Sequence, residues 1–258
     1  MFLKGIMNQT SKFDQLSAAK RSWEVMEVGS LEPIPGAYDT IQKGLALRHL
    51  EIPVGSFIEE VGRKEKHKLS DSGMALLKGN IKDEEKHDRQ LGLAFDRIKD
   101  QPGFSWEAEL EGRAICLDWI ALSHKYHPIL VALCAENSVF FPLLALFRRL
   151  GGVGLANISN EINRDEIIHV ATNRYIAFDL LGLEVPKEID ELREATINWL
   201  VEKLPDAGIP GKYGRASSYS NASRDLLYKG TYNQFGDTRK AQFLSFFEIS
   251  ADNLPIYS

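Results

Sequence analysis

The feature that most constrains this chain is an apolar run over residues 128–147 with one carboxylate, Glu136, near its middle. The run resembles a membrane span in length, but Glu136, Asn137 and Pro142 interrupt it, and an isolated charge at a bilayer centre costs about 2.5–3.5 kcal/mol. A helix that is apolar on all sides is otherwise buried among other helices. Because an unpaired buried carboxylate is very unfavourable, Glu136 is expected to meet a cation or to carry a proton.

Helical periodicity extends through most of the chain, whereas the alternation that is typical of β-strands is nearly absent. The pattern predicts long helices over residues 38–67, 73–99, 128–150 and 158–181, shorter helices within 105–126 and a further helix over 187–203. Pro53 is expected to kink the first helix, because proline removes a backbone donor. Ser70 or Asp71 is expected to cap the second. The fold class that follows is all-α.

Composition indicates a soluble protein with one large core, since 44% of the 258 residues are hydrophobic. We predict a single domain over 1–258, made of an N-terminal arm (1–36), a bundle core (about 38–182) and C-terminal helices with a tail (183–258). The net charge is −5 and no basic stripe is present, which argues against nucleic-acid binding. The first residues lack the apolar run of a signal peptide, and the two cysteines, Cys116 and Cys134, fit buried reduced thiols. We therefore expect a cytoplasmic protein without a membrane anchor.

Two short motifs of the form Glu-x-x-His indicate the chemistry of this protein. One runs from Glu84 to His87 on the second long helix, and the other runs from Glu166 to His169 on the fourth. Three residues is nearly one helical turn, so in each motif a carboxylate projects beside an imidazole. One such pair is weak evidence of a metal site, because charged helices produce it by chance. Two pairs, together with Glu136 on the third long helix, favour a shared metal site.

A fourth carboxylate is expected from the first long helix, where Glu51 lies on the apolar line and Glu59 and Glu60 compete with it. The first two long helices run antiparallel around a turn near residue 70, so paired ligands must lie at similar heights above that turn. At 1.5 Å per residue, Glu84 lies roughly 20 Å from the turn, Glu51 roughly 24 Å and Glu60 only about 10 Å. Glu51 is therefore preferred, and Glu60 and Glu59 stay open as alternatives.

The pattern on four successive helices is Glu, Glu-x-x-His, Glu, Glu-x-x-His, which is the ligand set of ferritin-like dinuclear carboxylate proteins. We therefore predict a ferritin-like four-helix bundle with additional helices and an extended C-terminal tail. Four carboxylates offset most of the charge of two divalent ions, and two imidazoles complete a mixed coordination sphere suited to iron or manganese. The predicted ligands are Glu51, Glu84, His87, Glu136, Glu166 and His169.

Residues 154–169, GLANISNEINRDEIIH, resemble the fourth-helix signature of ribonucleotide reductase small subunits, in which Gly-Leu and Ser-Asn-Glu precede Arg-Asp-Glu-x-x-His. Shorter stretches resemble other parts of the same family: ENSVFF at 136–141, LEIPV at 50–54 and SFFE at 245–248. The resemblance covers roughly residues 45–180 and that C-terminal patch. It implies that the six residues above bind two metal ions. It also implies that Asp165 orients a ligand histidine and begins a long-range electron path.

One position departs from the family pattern. In most family members a tyrosine that stores a radical follows the second-helix histidine by four positions, and this chain has Leu91 there. Leucine has no oxidisable ring, so we expect no tyrosyl radical at that position. Some small subunits of this kind keep the oxidising equivalent on a manganese–iron pair, so Fe/Fe, Mn/Fe and Mn/Mn centres all stay open.

The resemblance implies a function in deoxyribonucleotide synthesis. The chain would be the radical-generating small subunit of a class I ribonucleotide reductase, whose metal centre oxidises a cysteine on the catalytic large subunit. The resemblance also implies a homodimer and a C-terminal tail, residues 250–258, that docks on the large subunit with Tyr257 as an electron relay. Two alternatives stay open: a stand-alone dinuclear iron or manganese–iron oxygenase or oxidase acting on a small organic substrate, and a ferritin-like metal storage protein.

Overall fold

A computed structural model of the chain describes residues 12–204 and 216–228. Within these two ranges the chain forms helices and connecting turns and contains no β-strand, which confirms the predicted all-α class. The helices are α1 (Tyr38–Ala46), α2 (Glu51–Lys64), α3 (Asp71–Ile98), α4 (Trp106–Lys125), α5 (Pro128–Ala135), α6 (Phe141–Leu150), α7 (Gly152–Arg174), α8 (Lys187–Val201) and α9 (Ala216–Tyr228).

Short irregular helical segments join or extend these helices. A 3₁₀ turn over Leu47–Leu50 links α1 to α2, and a π-helical turn over Glu136–Phe140 links α5 to α6. A second π-helical turn, Tyr175–Leu180, continues α7. Residues 12–19 are also helical and begin the described part of the N-terminal arm, residues 12–36. The arm denotes these residues from here on.

Four helical rods pack around the centre of the molecule. Helix α2 packs against α3, α3 against α7, α7 against α5 and α6, and α5 back against α2. The rod Pro128–Leu150 is, among the described residues, the one helix long and apolar enough to cross a membrane, and its most apolar stretch is completely buried inside the protein. Helices α2 and α7 pack against it within the bundle, and α1, α4, α8 and α9 also contact it, which accounts for its composition.

The expected irregularity near Pro53 lies one turn earlier, at Leu47–Leu50. A proline ring clashes with the carbonyl of the residue four positions before it, which here is His49. The chain forms a 3₁₀ turn at this point and begins a new α-helix at Glu51. Pro53 then lies in the first turn of α2, where the missing backbone donor is tolerated. The break places Glu51 at the start of a helix.

The helix boundaries partly match the predicted ones. Ser70 caps α3, since its Oγ accepts a hydrogen bond from the backbone N–H of Gly73 at 3.2 Å. The prediction of several short helices between α3 and α5 is wrong, because α4 is a single helix of 20 residues. The prediction of a loop before residue 158 is also wrong. Helix α7 begins at Gly152, whose φ of 83° reverses the chain within one residue.

Helix α9 lies beyond the last helix that the sequence predicted with bounds, 187–203, in the part of the chain expected to hold C-terminal helices and a tail. It packs against α8 and against the π-helical turn over Glu136–Phe140. The Oγ of Ser223 donates to the carbonyl of Ser138, and the side-chain amide of Asn137 donates to the carbonyl of Leu226. The C-terminal helix is thus tied to the segment that carries Glu136. The predicted docking tail over residues 250–258 lies outside the described residues.

Both cysteines are buried in the core and unpaired. Burial raises the pKa of Cys116 and of Cys134 to about 12, because an apolar environment disfavours the thiolate. Since the thiolate is the reactive form, neither thiol is suited to nucleophilic or redox chemistry in the folded protein.

Candidate metal centre

The predicted ligands converge between the four rods and form two groups that share Glu84. Within each group, one ligand atom per residue lies within 4.8 Å of the others: Glu51, Glu84, His87 and Glu166 in one, and Glu84, Glu136 and His169 in the other. All of these side chains are buried. We call this set of residues the cage. Buried carboxylates and imidazoles at such distances could hold a metal ion.

Glu84 and Glu166 each face both imidazole rings. Nδ1 of His87 lies 3.7 Å from an oxygen of Glu84 and 3.3 Å from an oxygen of Glu166. Nδ1 of His169 lies 2.7 Å and 3.7 Å from oxygens of the same two residues. The two rings have their centroids 5.7 Å apart. Glu84 and Glu166 are therefore residues that would hold a cation beside either histidine.

Glu51 and Glu136 each face a single histidine. An oxygen of Glu51 lies 3.7 Å from Nδ1 of His87, and an oxygen of Glu136 lies 3.8 Å from Nδ1 of His169. The second oxygen of Glu136 accepts a hydrogen bond from the side-chain amide of Asn173 at 2.6 Å, so one oxygen remains for the cage. Glu136 opens a π-helical turn, a distortion that is frequent at functional sites.

The structure places the three competing carboxylates of α2 in different environments. Glu51 is completely buried and belongs to the cage. Glu59 is exposed. Glu60 lies at the surface, where it pairs with Lys64 at 2.7 Å and with Arg63 at 3.6 Å. The height argument therefore selected the residue that the structure brings to the cage, and Glu59 and Glu60 lie apart from it.

The cage has the donor atoms that a metal pair needs. Atoms without a hydrogen-bond partner include both oxygens of Glu51, Glu84 and Glu166, one oxygen of Glu136, and Nδ1 of His87 and His169. Buried polar atoms are normally hydrogen-bonded, so a converging set of unsatisfied acceptors needs an explanation. Two divalent cations would satisfy these atoms and would balance four carboxylate charges. The residues present therefore fit a dinuclear metal centre.

Three of the four carboxylates of the cage favour the protonated form when no metal is bound. Burial raises the pKa of Glu51, Glu136 and Glu166, and repulsion from neighbouring carboxylates raises each pKa further. Glu84 differs from them. Burial opposes its ionisation, but the charges of His169 and His87 close to its oxygens lower its pKa.

The imidazoles also favour protonation. Burial disfavours their charged form, but the surrounding carboxylates outweigh burial and raise the pKa of His87 well above its usual value and that of His169 to about 10. A histidine must lose this proton at Nδ1 before the same atom can bind a metal. The cage thus holds positive charge in the form of protons that a metal would displace.

Two aspartates contact the cage histidines in a crossed arrangement. Nε2 of His87, on α3, lies 3.2 Å from Asp165 on α7, and Nε2 of His169, on α7, lies 3.2 Å from Asp83 on α3. A carboxylate at one ring nitrogen holds the other nitrogen toward the metal position. The sequence resemblance assigned this role to Asp165. Asp83 was missed, although it precedes Glu84 just as Asp165 precedes Glu166.

The N-terminal arm contributes two side chains to the same region. The indole Nε1 of Trp23 donates to Asp165 at 2.7 Å, and its ring stacks on His87 with centroids 6.2 Å apart. Lys20 donates to Asp83. Neither arm residue was predicted, because the arm has no pattern that links it to α3 or α7.

Lys86 lies between the two aspartates. Its Nζ is 3.1 Å from Asp83, 3.5 Å from Asp165 and 4.5 Å from the centroid of the Trp23 ring. Burial opposes ionisation of both aspartates, but contacts with other side chains lower each pKa. Asp83 contacts His169 and Lys20. Asp165 contacts His87 and Trp23. The aspartates are therefore ionised, and Lys20 and Lys86 balance their charges.

No family model, curated protein or solved structure matches the chain. The likeness to ribonucleotide reductase small subunits therefore stays a proposal. The geometry establishes an all-α protein with a buried cluster of glutamates and histidines that could hold a metal ion.

At the position where the resemblance to ribonucleotide reductase small subunits would place a radical tyrosine, the side chain is apolar and buried. Leu91 is 1% exposed and lies in the hydrophobic core. Tyr126 and Tyr175 are partly buried, and the ring of Tyr175 packs on Phe13 with centroids 5.4 Å apart. Among the ring contacts of the described residues, the indole of Trp23 is an oxidisable ring that stacks on a cage histidine. Tyr257, the predicted relay, lies outside the described residues.

Proposed function

We propose that this chain is the radical-generating small subunit of a class I ribonucleotide reductase, with a ferritin-like bundle that holds two metal ions in the cage. One observation carries the proposal beyond the resemblance: a continuous series of contacts from the arm to the cage. Trp23, which is only partly buried, donates to Asp165 at 2.7 Å, and Asp165 lies 3.2 Å from the buried His87. This series supports the electron path that the resemblance implies.

Each group in the series has a distinct role. The carboxylates and Nδ1 atoms of the cage bind the metals, and Asp165 keeps His87 oriented toward them. Two redox-active ions, of iron, manganese or both, supply the oxidising equivalent when bound. Trp23 presents an oxidisable ring between the surface and the cage. Leu91 offers no such ring, so the oxidising equivalent is not stored on a side chain at that position.

The proposed reaction removes one electron and one proton from a cysteine thiol of the catalytic subunit. The electron would travel inward through Trp23 and the hydrogen-bonded pair of Asp165 and His87 to the cage, where the bound redox-active ions would accept it, and the proton would pass to a base or to water beside the Tyr257 relay. The resulting thiyl radical starts reduction of a ribonucleotide. The proposal includes a homodimer, a cytoplasmic location and docking of residues 250–258 on the catalytic subunit, with Tyr257 as the relay between subunits.

The test is nucleotide reduction with the cognate catalytic subunit after aerobic loading with iron, manganese or both. Trp23→Phe removes the indole N–H and the readily oxidised ring, so it should keep two bound metals and lose turnover. Trp106→Phe is the matched control, because Trp106 is 59% exposed on α4 and packs on Phe95 and Phe104. This control should keep full turnover.

One result would overturn the electron path alone, and another would overturn the proposed function. Full nucleotide reduction by Trp23→Phe would eliminate the electron path. Metal-dependent consumption of oxygen with a small organic substrate, in the absence of any partner and without nucleotide reduction in its presence, would instead support a stand-alone oxygenase. Deletion of residues 250–258 separates docking from metal binding, since it should abolish turnover and leave the metal content unchanged.

A further inference from the structure

The N-terminal arm is fastened to α3 and α7 at three successive points beside the cage. Lys20 donates to Asp83 and, at 2.9 Å, to the side-chain oxygen of Asn80. Trp23 donates to Asp165. The backbone of Met26 exchanges two hydrogen bonds with the buried side chain of Gln90, at 2.7 Å and 3.1 Å. The arm therefore covers the side of the cage on which the histidine Nε2 atoms lie.

Lys20 and Trp23 each contact one of the two aspartates beside the cage histidines. Trp23 contacts the aspartate that orients His87, and Lys20 contacts the aspartate that orients His169. A single segment of chain thus holds the outer partner of both ligand histidines. The proposed electron path uses the Trp23 branch and leaves the Lys20 branch without a role.

The Lys20 contact differs from an ordinary surface ion pair. Exposed pairs contribute little, because water screens them and the long side chains lose entropy. Here the side chains of Lys20 and Asp83 are only 19% and 11% exposed, and Asn80 is completely buried. Oδ2 of Asp83 contacts both Lys20 and His169. Loss of Lys20 would therefore free the same oxygen that holds the imidazole.

We propose that Lys20 is a positioning residue for the metal position beside His169, so that seating of the arm sets how tightly this position binds a divalent cation. The inference rests on the two-metal cage of the proposed function. Outer partners of metal-binding histidines typically change metal affinity by about 10–100-fold when they are lost. Because Lys20 acts through Asp83, the effect expected for Lys20→Met is about tenfold, at the low end of this range.

The test measures Mn²⁺ binding to the metal-free full-length protein, with free Mn²⁺ followed by its EPR signal. Wild type should bind two ions. Lys20→Met should weaken one position about tenfold and leave the other unchanged. Lys20→Arg should retain wild-type binding, because it keeps the charge and the donor. Lys12→Met is the matched control. Lys12 belongs to the same arm but pairs with Asp179 at 3.4 Å, so both positions should be unaffected.

Double variants assign the weakened position. In a His87→Ala background, the ion beside His169 remains, and adding Lys20→Met should weaken it about tenfold. In a His169→Ala background, adding Lys20→Met should leave binding of the remaining ion unchanged. If the second combination shows the loss and the first does not, Lys20 acts on the other position and the inference is wrong.

The number of Mn²⁺ ions bound by wild type distinguishes failure of the Lys20 inference from failure of the two-metal cage. If wild type does not bind two ions, the cage itself is wrong and the role of Lys20 falls with it. If wild type binds two ions and Lys20→Met binds both equally well, only the role of Lys20 is overturned. Lys20→Gln, which keeps a donor but no charge, extends the test if Lys20→Met does not fold. An equal loss at both positions with Lys20→Gln would indicate general loosening of the arm and would contradict the inference.

Discussion

In the proposed two-metal centre, single residues distinguish one metal position from the other, and α2 offers a matched pair of variants that tests this division. Glu51 faces His87 alone and is buried, whereas Glu60 lies on the surface of the same helix. We expect Glu51→Ala to reduce the content of tightly bound metal from two ions per chain to one. Glu60→Ala should keep both ions. Metal analysis after desalting measures the content, and equal metal content in the two variants would contradict the division.

The second residue-scale prediction concerns the place of the oxidising equivalent. With Leu91 at the usual tyrosine position, we expect EPR spectra of aerobically loaded protein to contain no tyrosyl radical. Tyr126→Phe and Tyr175→Phe should leave those spectra unchanged, because the ring of Tyr175 packs on Phe13 and that of Tyr126 lies beside Lys125, and neither of these partners belongs to the cage. A sharp tyrosyl signal that disappears in either variant would refute the prediction.

The sequence predicts side chains of the cage better than the groups around them. His87 and His169 each follow a glutamate by three positions, so helical geometry alone pairs them with Glu84 and Glu166. Asp83 was predictable by the same pattern, since an aspartate precedes both motifs. Lys20 and Trp23 were not, because their contacts span more than 60 residues and the arm has no period that relates it to the bundle.

At the scale of helices, close packing of α1 on α4 depends on Gly112. A Cβ at this position would lie 2.4 Å from the Cβ of Ala46 and 3.2 Å from its backbone carbonyl carbon. Alanine favours helix over glycine by about 1 kcal/mol. Overpacking of a tight contact costs about 1–3 kcal/mol, and neither atom of Ala46 can move without its backbone. We expect Gly112→Ala to lower the free energy of unfolding despite the gain in helix propensity.

Gly92→Ala provides the control for this prediction. Gly92 lies within α3, and a Cβ there meets nothing within 4 Å. The helix-propensity gain should appear without a clash, so this variant should raise the free energy of unfolding by up to about 1 kcal/mol. Urea unfolding of the metal-free protein measures both variants. Equal changes in the free energy of unfolding of the two variants would show that the α1–α4 contact accommodates a methyl group at position 112.

The boundaries that sequence patterns missed have physical causes in tertiary contacts. Glycines near the start of α7 predicted a loop, because glycine weakens a helix. Gly154 nevertheless lies in the helix, where a Cβ would be 2.8 Å from the carbonyl oxygen of Ser30 in the arm. Helix α9 is rich in polar residues, and its buried face includes Tyr219, Ser223 and Leu226. The π-helical turn at Glu136–Phe140 provides the partners for that face, which no local pattern reveals.

For the whole molecule, the proposed metal loading should be coupled to protonation of the cage. Burial and neighbouring carboxylates raise the pKa of Glu51, Glu136 and Glu166, and the carboxylates raise the pKa of His169 to about 10. Near neutral pH the metal-free cage therefore carries protons, at least on His169. Glu84 has a lowered pKa and is already ionised, so it contributes none. Metal binding requires the deprotonated ligands and must release these protons.

The sign of the pH dependence follows from this release. As pH falls, protons compete more strongly with the metal, so the affinity for divalent cations should decrease throughout the range below the raised pKa of His169. Each displaced proton adds about a tenfold loss of affinity per pH unit. Calorimetric titrations with Mn²⁺ in two buffers of different ionisation enthalpy count the protons released. His169→Ala removes one titrating ligand and should release fewer protons at its remaining position. Affinity and heat that do not vary with pH or buffer would show that the cage is deprotonated before the metal binds.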